Sequence, residues 1–421
     1  MIEKNALLEI IEEQHSEWID KREALIPRNV EHGTSITSSH AAVITGIRRC
    51  GKSTLLRQFA QDKERDYYFR FEDERLIDFN AQDFQLLYDV FLEKFGIQRI
   101  FWFDEIQVVE KWELFVRRMM DKGMKFFLTG SNASLLSREL GTKLTGRHRN
   151  TTLYPFSFAE YLRFVKIDVS KSFFNKPEER AGINRAFNYY LHNGGMPEYI
   201  KERDIELLRS VYDDILYRDI AVRHDLGNIR LLREIGHQLI SQIACSVSFN
   251  KMKDRFSLGS VNTLKKYIGY FEDCYLFFAL NCFSPSLKKQ LVLPKKIYCM
   301  DNGFHQALGF GVINQEGRLL ENLVAVELKR RNAELYWYKT KTDREVDFLV
   351  RKGVTPSSLI QVCYSIRDVE TRKRELDALT EAMGETGIKN GMILTTDRDV
   401  EIKTSHGVIS VVNITRWLLE T

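Results

Sequence analysis

No two cysteines in this chain are spaced as C-x-x-C. The six thiols, at 50, 245, 274, 282, 299 and 363, build neither a zinc site nor a disulfide framework, and they read as reduced cytosolic thiols. Long hydrophobic runs are also missing. The longest, Cys274 to Phe283, is about half of the ~20 residues that a membrane helix needs. The opening Met-Ile-Glu-Lys carries no apolar core, so no secretory leader is expected and the cytoplasm is the expected location. Internal repeats, low-complexity tracts and long linkers are absent too. These absences exclude a secreted disulfide scaffold, a structural zinc protein and a membrane protein. What is left is a globular composition, 44% hydrophobic and 29% charged over 421 residues, enough for about two to four domains.

The net charge of +4 says little by itself. Its distribution says more. Between Lys251 and Met300 nine Lys/Arg face three acids, a local +6 that leaves −2 for the rest of the chain. A basic island on a nearly neutral protein points to an anionic polymer, or to a solvated lysine face.

The run Gly46-Ile47-Arg48-Arg49-Cys50-Gly51-Lys52-Ser53 fits the phosphate-loop pattern G-x-x-x-x-G-K-[ST]. Its glycines let successive N–H groups curl around a triphosphate, with Lys52 reaching the β and γ phosphates and Ser53 offering a hydroxyl to Mg²⁺. The apolar run 41–45 before it reads as a buried strand, and Thr54 onward as a helix, which is the order this chemistry requires. Nucleotide is expected on Gly46, Ile47, Arg48, Arg49, Cys50, Gly51, Lys52, Ser53 and Thr54. Cys50 reads as a small filler of the loop, or as a thiol whose oxidation blocks nucleotide.

A second motif is Ile100-Phe101-Trp102-Phe103-Asp104-Glu105. An apolar strand ending in two carboxylates is expected to hold Mg²⁺ through Asp104, beside Ser53, and to activate water through Glu105. A third strand, 125–129, ends in Gly130-Ser131-Asn132, where Ser131 is expected to sense the γ phosphate, with Asn132 as the alternative. Arg147, Arg138 and Arg149 are, in that order, candidates for an arginine that stabilises transition-state charge from the same subunit or a neighbouring one.

Strands expected at 41–45, 67–71, 100–104 and 125–129, with helices over 72–98 and 110–121, make an α/β parallel sheet. The motifs together resemble a known family, prokaryotic AAA+-type P-loop ATPases with a C-terminal domain of uncharacterised function. The resemblance rests on the two motifs above and on Leu128-Thr129-Gly130-Ser131, Leu144-Thr145-Gly146-Arg147 and Leu153-Tyr154-Pro155-Phe156-Ser157-Phe158. It extends to Gly194-Gly195-Met196-Pro197-Glu198 and Tyr217-Arg218-Asp219-Ile220. It implies a fold of class α/β, a P-loop AAA+-type parallel sheet core with a helical lid, a winged helix and a C-terminal α/β nuclease-like domain. The expected segments are 1–36 (N-terminal helix), 37–160 (core), 161–225 (lid, broken at Asn193–Pro197), 226–300 (winged helix) and 301–421 (nuclease-like).

In the winged helix, Ser260 would cap a recognition helix carrying Lys265 and Lys266, with Lys288 and Lys289 at the wing. Lysines position a protein on phosphates, and Asn262 alone is suited to base reading, so DNA binding with weak sequence specificity is expected. The other reading is a packing or oligomerisation module. In the last segment Glu321, Asp347 and Gln361 match the acids and glutamine of a nuclease site. Cys363 stands where that site's lysine belongs, and Lys339 or Lys341 could reach in from a neighbouring strand in its stead. An inactive nuclease fold is therefore expected.

The function expected from all this is Mg²⁺-dependent ATP hydrolysis coupled to DNA remodelling, in a homo-oligomer if Arg147 acts across subunits. Rival readings are a slow nucleotide switch in signalling or defence that acts on a protein partner, an ATP-gated nuclease, and an interaction module with a vestigial ATP site.

Overall fold

Five short strands carry the phosphate-loop and carboxylate motifs. A computed structural model of the chain describes residues 2–20, 25–30, 40–60, 67–132, 147–170, 173–309, 315–353 and 355–420. Strand β1 (Ala41–Thr45) is buried at every position, as a strand covered on both faces must be. It lies in a sheet with β2 (Tyr67–Arg70), β3 (Ile100–Asp104), β4 (Lys125–Gly130) and β5 (His148–Thr152). The order is β2-β3-β4-β1-β5 and every pairing is parallel. The four strands expected from sequence are present to within one residue at each end.

β5 was not expected. Its sequence, His-Arg-Asn-Thr-Thr, has no apolar residue, because it is an edge strand with β1 as its single neighbour and none of its side chains is fully buried. Helices α1 (Lys4–Asp20), α2 (Lys52–Phe59), α3 (Asp83–Phe95) and α4 (Trp112–Asp121) accompany the sheet. The helical stretch expected over 72–98 divides into a 3₁₀ turn at Glu74–Leu76 and α3.

Aromatic rings dominate this core. Tyr67 stacks on Phe91 at 4.8 Å and Phe101 on Phe126 at 4.7 Å. Leu7, Ile10 and Ile11 of α1 belong to the same buried cluster. The N-terminal helix is thus part of this body and not a separate segment.

The chain packs as two units where five segments were expected. The first holds residues 1–154 together with Asp273–Tyr275, and the second holds 155–272 and 276–421. The second unit opens with helices, among them Phe158–Phe164, Pro177–Asn193 and Pro197–Glu202. The break between the last two is a close joint. Gly194 sits at φ +73, and a Cβ there would come 1.8 Å from Asp301 Oδ1. The helix Ile205–Asp214 runs on into a π-helical stretch, Ile215–Val222, that contains the Tyr-Arg-Asp-Ile run.

Next come the helix Ile229–Ser241, β6 (Cys245–Val247), the helices Phe249–Arg255 and Val261–Asp273, and the strands β7 (Phe277–Asn281) and β8 (Lys295–Cys299). These strands form an antiparallel sheet in the order β6-β8-β7. The last 120 or so residues fold around a six-stranded mixed sheet of order β13-β14-β12-β11-β10-β9. Its strands are β9 (Glu334–Lys339), β10 (Glu345–Lys352), β11 (Thr355–Val362), β12 (Asn390–Thr395), β13 (Val400–Thr404) and β14 (Gly407–Asn413). The helices Glu316–Arg330 and Val369–Thr386 pack on it. Among the described residues no helix is long and apolar enough to cross a membrane.

Candidate nucleotide site

The loop between β1 and α2 leaves the carboxyl edge of the parallel sheet, where open α/β sheets bind ligands. Gly46 opens it at φ +150, and a Cβ there would lie 2.2 Å from the Leu153 carbonyl oxygen. That contact ties the loop to the chain just beyond β5. The Cys50 thiol donates to the same carbonyl at 3.4 Å. Burial pushes this thiol above its ordinary pKa, so it is a neutral packing piece. The Lys52 ammonium donates to the carbonyls of Gly46 at 3.3 Å and Ile47 at 3.4 Å. Lys52 is the first residue of α2, so the free N–H groups and positive end of that helix face the loop.

The carboxylates expected opposite the loop are there. Lys52 Nζ lies 3.3 Å from Glu105 Oε1. Thr129 accepts the Glu105 backbone N–H at 2.9 Å and donates its own hydroxyl to Asp104 Oδ1, so one side chain of β4 fixes both acids. Asp104 is also hydrogen-bonded to Ser53. Burial and the charge of Glu105 raise the Asp104 pKa, against the pull of those two hydroxyls. Burial also pushes Glu105 upward, but the Lys52 ammonium, Gln107 and Arg48 outweigh it and leave Glu105 below its ordinary value. Glu105 is therefore ionised at neutral pH. Ser131 joins the group through its backbone N–H, 3.3 Å from Glu105 Oε2, and Asn132 is fully buried beside it.

The arginines are placed differently. Arg147 precedes β5, its carbonyl accepts the Ala41 N–H, and its guanidinium pairs with Asp121 at 2.6 Å. That is the amino edge of the sheet, one strand length or about 17 Å from the loop. Arg149 lies in β5, paired with Ala42 toward the same edge. Neither contacts the phosphate loop of its own chain. Arg138 lies outside the described residues. Arg48 is paired with Glu72 at 3.0 Å, and Arg49 takes a left-handed backbone at φ +61.

Residues 38–162 match the model of a family described as AAA domain, and residues 184–316 and 316–417 match two domains of unknown function. The uncharacterized protein MJ1544 of Methanocaldococcus jannaschii is 33% identical, over 100% of this chain and 96% of its own length. The chain belongs to this family of AAA-domain proteins. An uncharacterized protein of Haemophilus influenzae is 30% identical, over 90% of this chain and 94% of its own. Solved structures align loosely. The ORC2 protein of Aeropyrum pernix in its ADP form is 13% identical with a TM-score of 0.31, covering 76% of this chain and 93% of that one. A RuvB of Thermotoga maritima is 16% identical with a TM-score of 0.29, covering 59% and 85%.

The AAA domain also uses residues that sequence reasoning missed. Arg28 reaches back to the loop and donates to the carbonyls of Cys50 at 3.0 Å and Tyr154 at 2.5 Å. Tyr275, from the three residues contributed late in the chain, hydrogen-bonds through its hydroxyl to Thr45 and Thr152, the last residues of β1 and β5. Its backbone is left-handed at φ +59, an unusual conformation for a bulky side chain. Nothing local to either residue marks it, since each acts through a partner more than 100 positions away. Gln107 was legible as part of the motif Asp-Glu-Ile-Gln. It donates to Glu105 Oε2 at 2.5 Å.

In the second unit the three residues expected to form a nuclease-like site do converge. Glu321 lies on the helix Glu316–Arg330, Asp347 on β10 and Gln361 on β11. The Asp347 N–H donates to Gln361 Oε1 at 3.2 Å, and the Val362 N–H to Asp347 Oδ2 at 2.9 Å. The substitutes expected for the missing lysine do not arrive. Lys339 pairs with Asp343 at 2.6 Å on the surface. Lys341 donates its backbone N–H to Glu385.

The lysine that does arrive is Lys296 of β8. It lies 2.8 Å from Glu321 Oε1 and 3.0 Å from Asp347 Oδ1. Lys296 was counted in the basic island, which is a correction: it is 1% exposed and its charge faces inward. Burial alone would lower its pKa, but Tyr298, Asp347, Glu321 and Glu345 raise it well above the ordinary value. Lys265, Lys266, Lys288 and Lys289 are all exposed. The last two, expected at a wing, lie on a short helix, Leu287–Val292, between β7 and β8.

Proposed function

We propose that this chain is a Mg²⁺-dependent ATPase that couples hydrolysis to the remodelling of DNA. One observation carries the enzymatic part. Lys52 and Ser53 at the start of α2 converge with Asp104 and Glu105 at the end of β3 on one sheet edge, with Thr129 fixing both acids. The loop backbone and Lys52 hold the phosphates. Ser53 and Asp104, hydrogen-bonded to each other, are an oxygen pair that would hold Mg²⁺, whose chemistry there would be to neutralise phosphate charge. Glu105, ionised and oriented by Gln107 and Ser131, takes a proton from the attacking water. The leaving group is ADP.

The DNA part rests on the exposed lysines and on element order. Helix, strand, helix, helix, strand, strand with a small antiparallel sheet is the order of a winged helix. Ser260 caps its long helix through the Thr263 N–H at 3.1 Å. Lys265 and Lys266 follow on that helix, suited to phosphate contact without base reading. A trans-acting Arg147 would require a homo-oligomer, since in its own chain this arginine faces the other sheet edge.

The test is the steady-state ATPase rate with and without single-stranded, duplex and four-way-junction DNA, at low and physiological salt, with Glu105→Gln as the inactive control. Salt-sensitive stimulation by one DNA form is expected. Hydrolysis without any DNA stimulation or binding would remove the DNA part and favour the switch that acts on a protein partner.

A further inference from the structure

Lys296 is surrounded by carboxylate oxygens. Its ammonium meets Glu345 Oε1 at 2.6 Å, Glu321 Oε1 at 2.8 Å and Asp347 Oδ1 at 3.0 Å. An ammonium has three N–H donors, so this one is fully engaged. The acceptors come from the helix Glu316–Arg330 and from β10, while the lysine comes from β8. Tyr298, two residues along the same strand, donates to Glu321 Oε1 at 2.7 Å. Glu321, Glu345 and Asp347 all line a cleft of about 640 Å³, whose walls include Lys373 and Arg374.

Carboxylates this close repel one another in a low-dielectric site unless a cation stands between them or one of them keeps a proton. Burial and Asp347 push the Glu321 pKa above its ordinary value, and Lys296 and Tyr298 pull against that. A cation at this place comes from the chain or from solvent. Among the described residues no group of three Asp, Glu, His or Cys side chains is arranged to hold a metal ion. Here the chain supplies it.

We propose that Lys296 is a built-in cation: its ammonium holds the place between Glu321 and Asp347 that a divalent metal would need, and so closes the cleft to metal-dependent phosphodiester hydrolysis. This explains how a site with the acids of a nuclease is stable without metal. It also explains why the lysine is not free to polarise water, because each of its protons is already given to a carboxylate. The inference does not depend on ATP hydrolysis by the first unit.

Replacing Lys296 by methionine keeps the side chain's length and removes its charge. The nucleotide-free full-length chain is titrated with Mn²⁺, free Mn²⁺ is followed by electron paramagnetic resonance, and melting is recorded with and without the metal. Lys296→Met is expected to melt lower than wild type, to gain a Mn²⁺ site, and to recover part of its melting temperature in millimolar Mn²⁺. Adding Asp347→Asn should abolish the gain. A Lys296→Met chain that folds but gains no Mn²⁺ site overturns the proposal. A companion measurement does not depend on that variant folding: Mn²⁺ binding by the wild type should be unchanged by Asp347→Asn alone. A loss of Mn²⁺ there, or Mn²⁺-dependent cleavage of duplex DNA by the wild type that disappears in Asp347→Asn, would show that metal and lysine share the cleft and would likewise overturn it.

Discussion

Lys52 Nζ and Glu105 Oε1 stand 3.3 Å apart, so the lysine proposed to bind phosphate and the acid proposed to activate water are paired with each other across the loop. The pair keeps Glu105 ionised despite its burial. Replacing Glu105 by Gln should leave ATP affinity within a few-fold of wild type and lower the hydrolysis rate by about 100-fold or more, the usual share of a general base. Nucleotide titration and single-turnover hydrolysis separate the two. Because the Glu105 pKa is depressed, the part of stability it contributes is present above the ordinary glutamate range and is lost as pH falls through its folded value. The acidic limb of the rate profile should accordingly lie below that ordinary range.

Gly46→Ala tests the loop geometry. The new methyl group would meet the Leu153 carbonyl, and φ +150 strains any residue with a Cβ. Loss of measurable nucleotide binding together with a lower melting temperature is expected. Unchanged binding would mean that the loop does not need this close approach.

Tyr275→Phe removes one hydroxyl and the hydrogen bonds to Thr45 and Thr152. The expected stability loss is about 1 kcal/mol. The informative readout is ATP affinity, which should fall because Thr45 precedes the phosphate loop directly. A drop in stability with unchanged affinity would make the tyrosine a packing residue alone.

Asp301 gives the second unit a pH signature. Burial raises its pKa to about 7, against the N–H groups of Gly195 and Gly303. Between roughly pH 4, the unfolded value, and pH 7 the folded chain keeps a proton that the unfolded chain has released. Its contribution to stability therefore falls as pH rises through that window and levels off above it. Asp301→Asn should remove this slope at a cost of roughly 1 kcal/mol for the lost acceptor. Denaturant melts at several pH values measure both effects.

Lys265→Ala combined with Lys266→Ala should weaken DNA binding evenly across sequences and reduce the salt slope by about 2. A change confined to one sequence would point to base reading instead.

The class of the first unit, a parallel sheet carrying a phosphate loop, was legible in the amino-acid pattern. A buried parallel strand needs an unbroken apolar run, a phosphate loop needs its glycines and lysine at set intervals, and a strand proposed to bind Mg²⁺ ends in acid, so the meeting of Lys52, Ser53, Asp104 and Glu105 at one sheet edge was expected from spacing, while their roles and that of Ser131 are proposals. The polar edge strand β5 was not, since an edge strand need not be apolar. Glu321, Asp347 and Gln361 were legible through resemblance, but their partner was not.

Tertiary structure alone decided that Lys296 faces three carboxylates and not solvent, that Arg147 lies at the wrong sheet edge to serve its own loop, and that Arg28 and Tyr275 brace the phosphate loop. The reason is common to all four. A local motif is written in neighbouring residues because its geometry is local. An ion pair or a brace between distant segments is set by where the sheets bring those segments together, and a charged side chain reads the same in sequence whether it ends in water or between two acids.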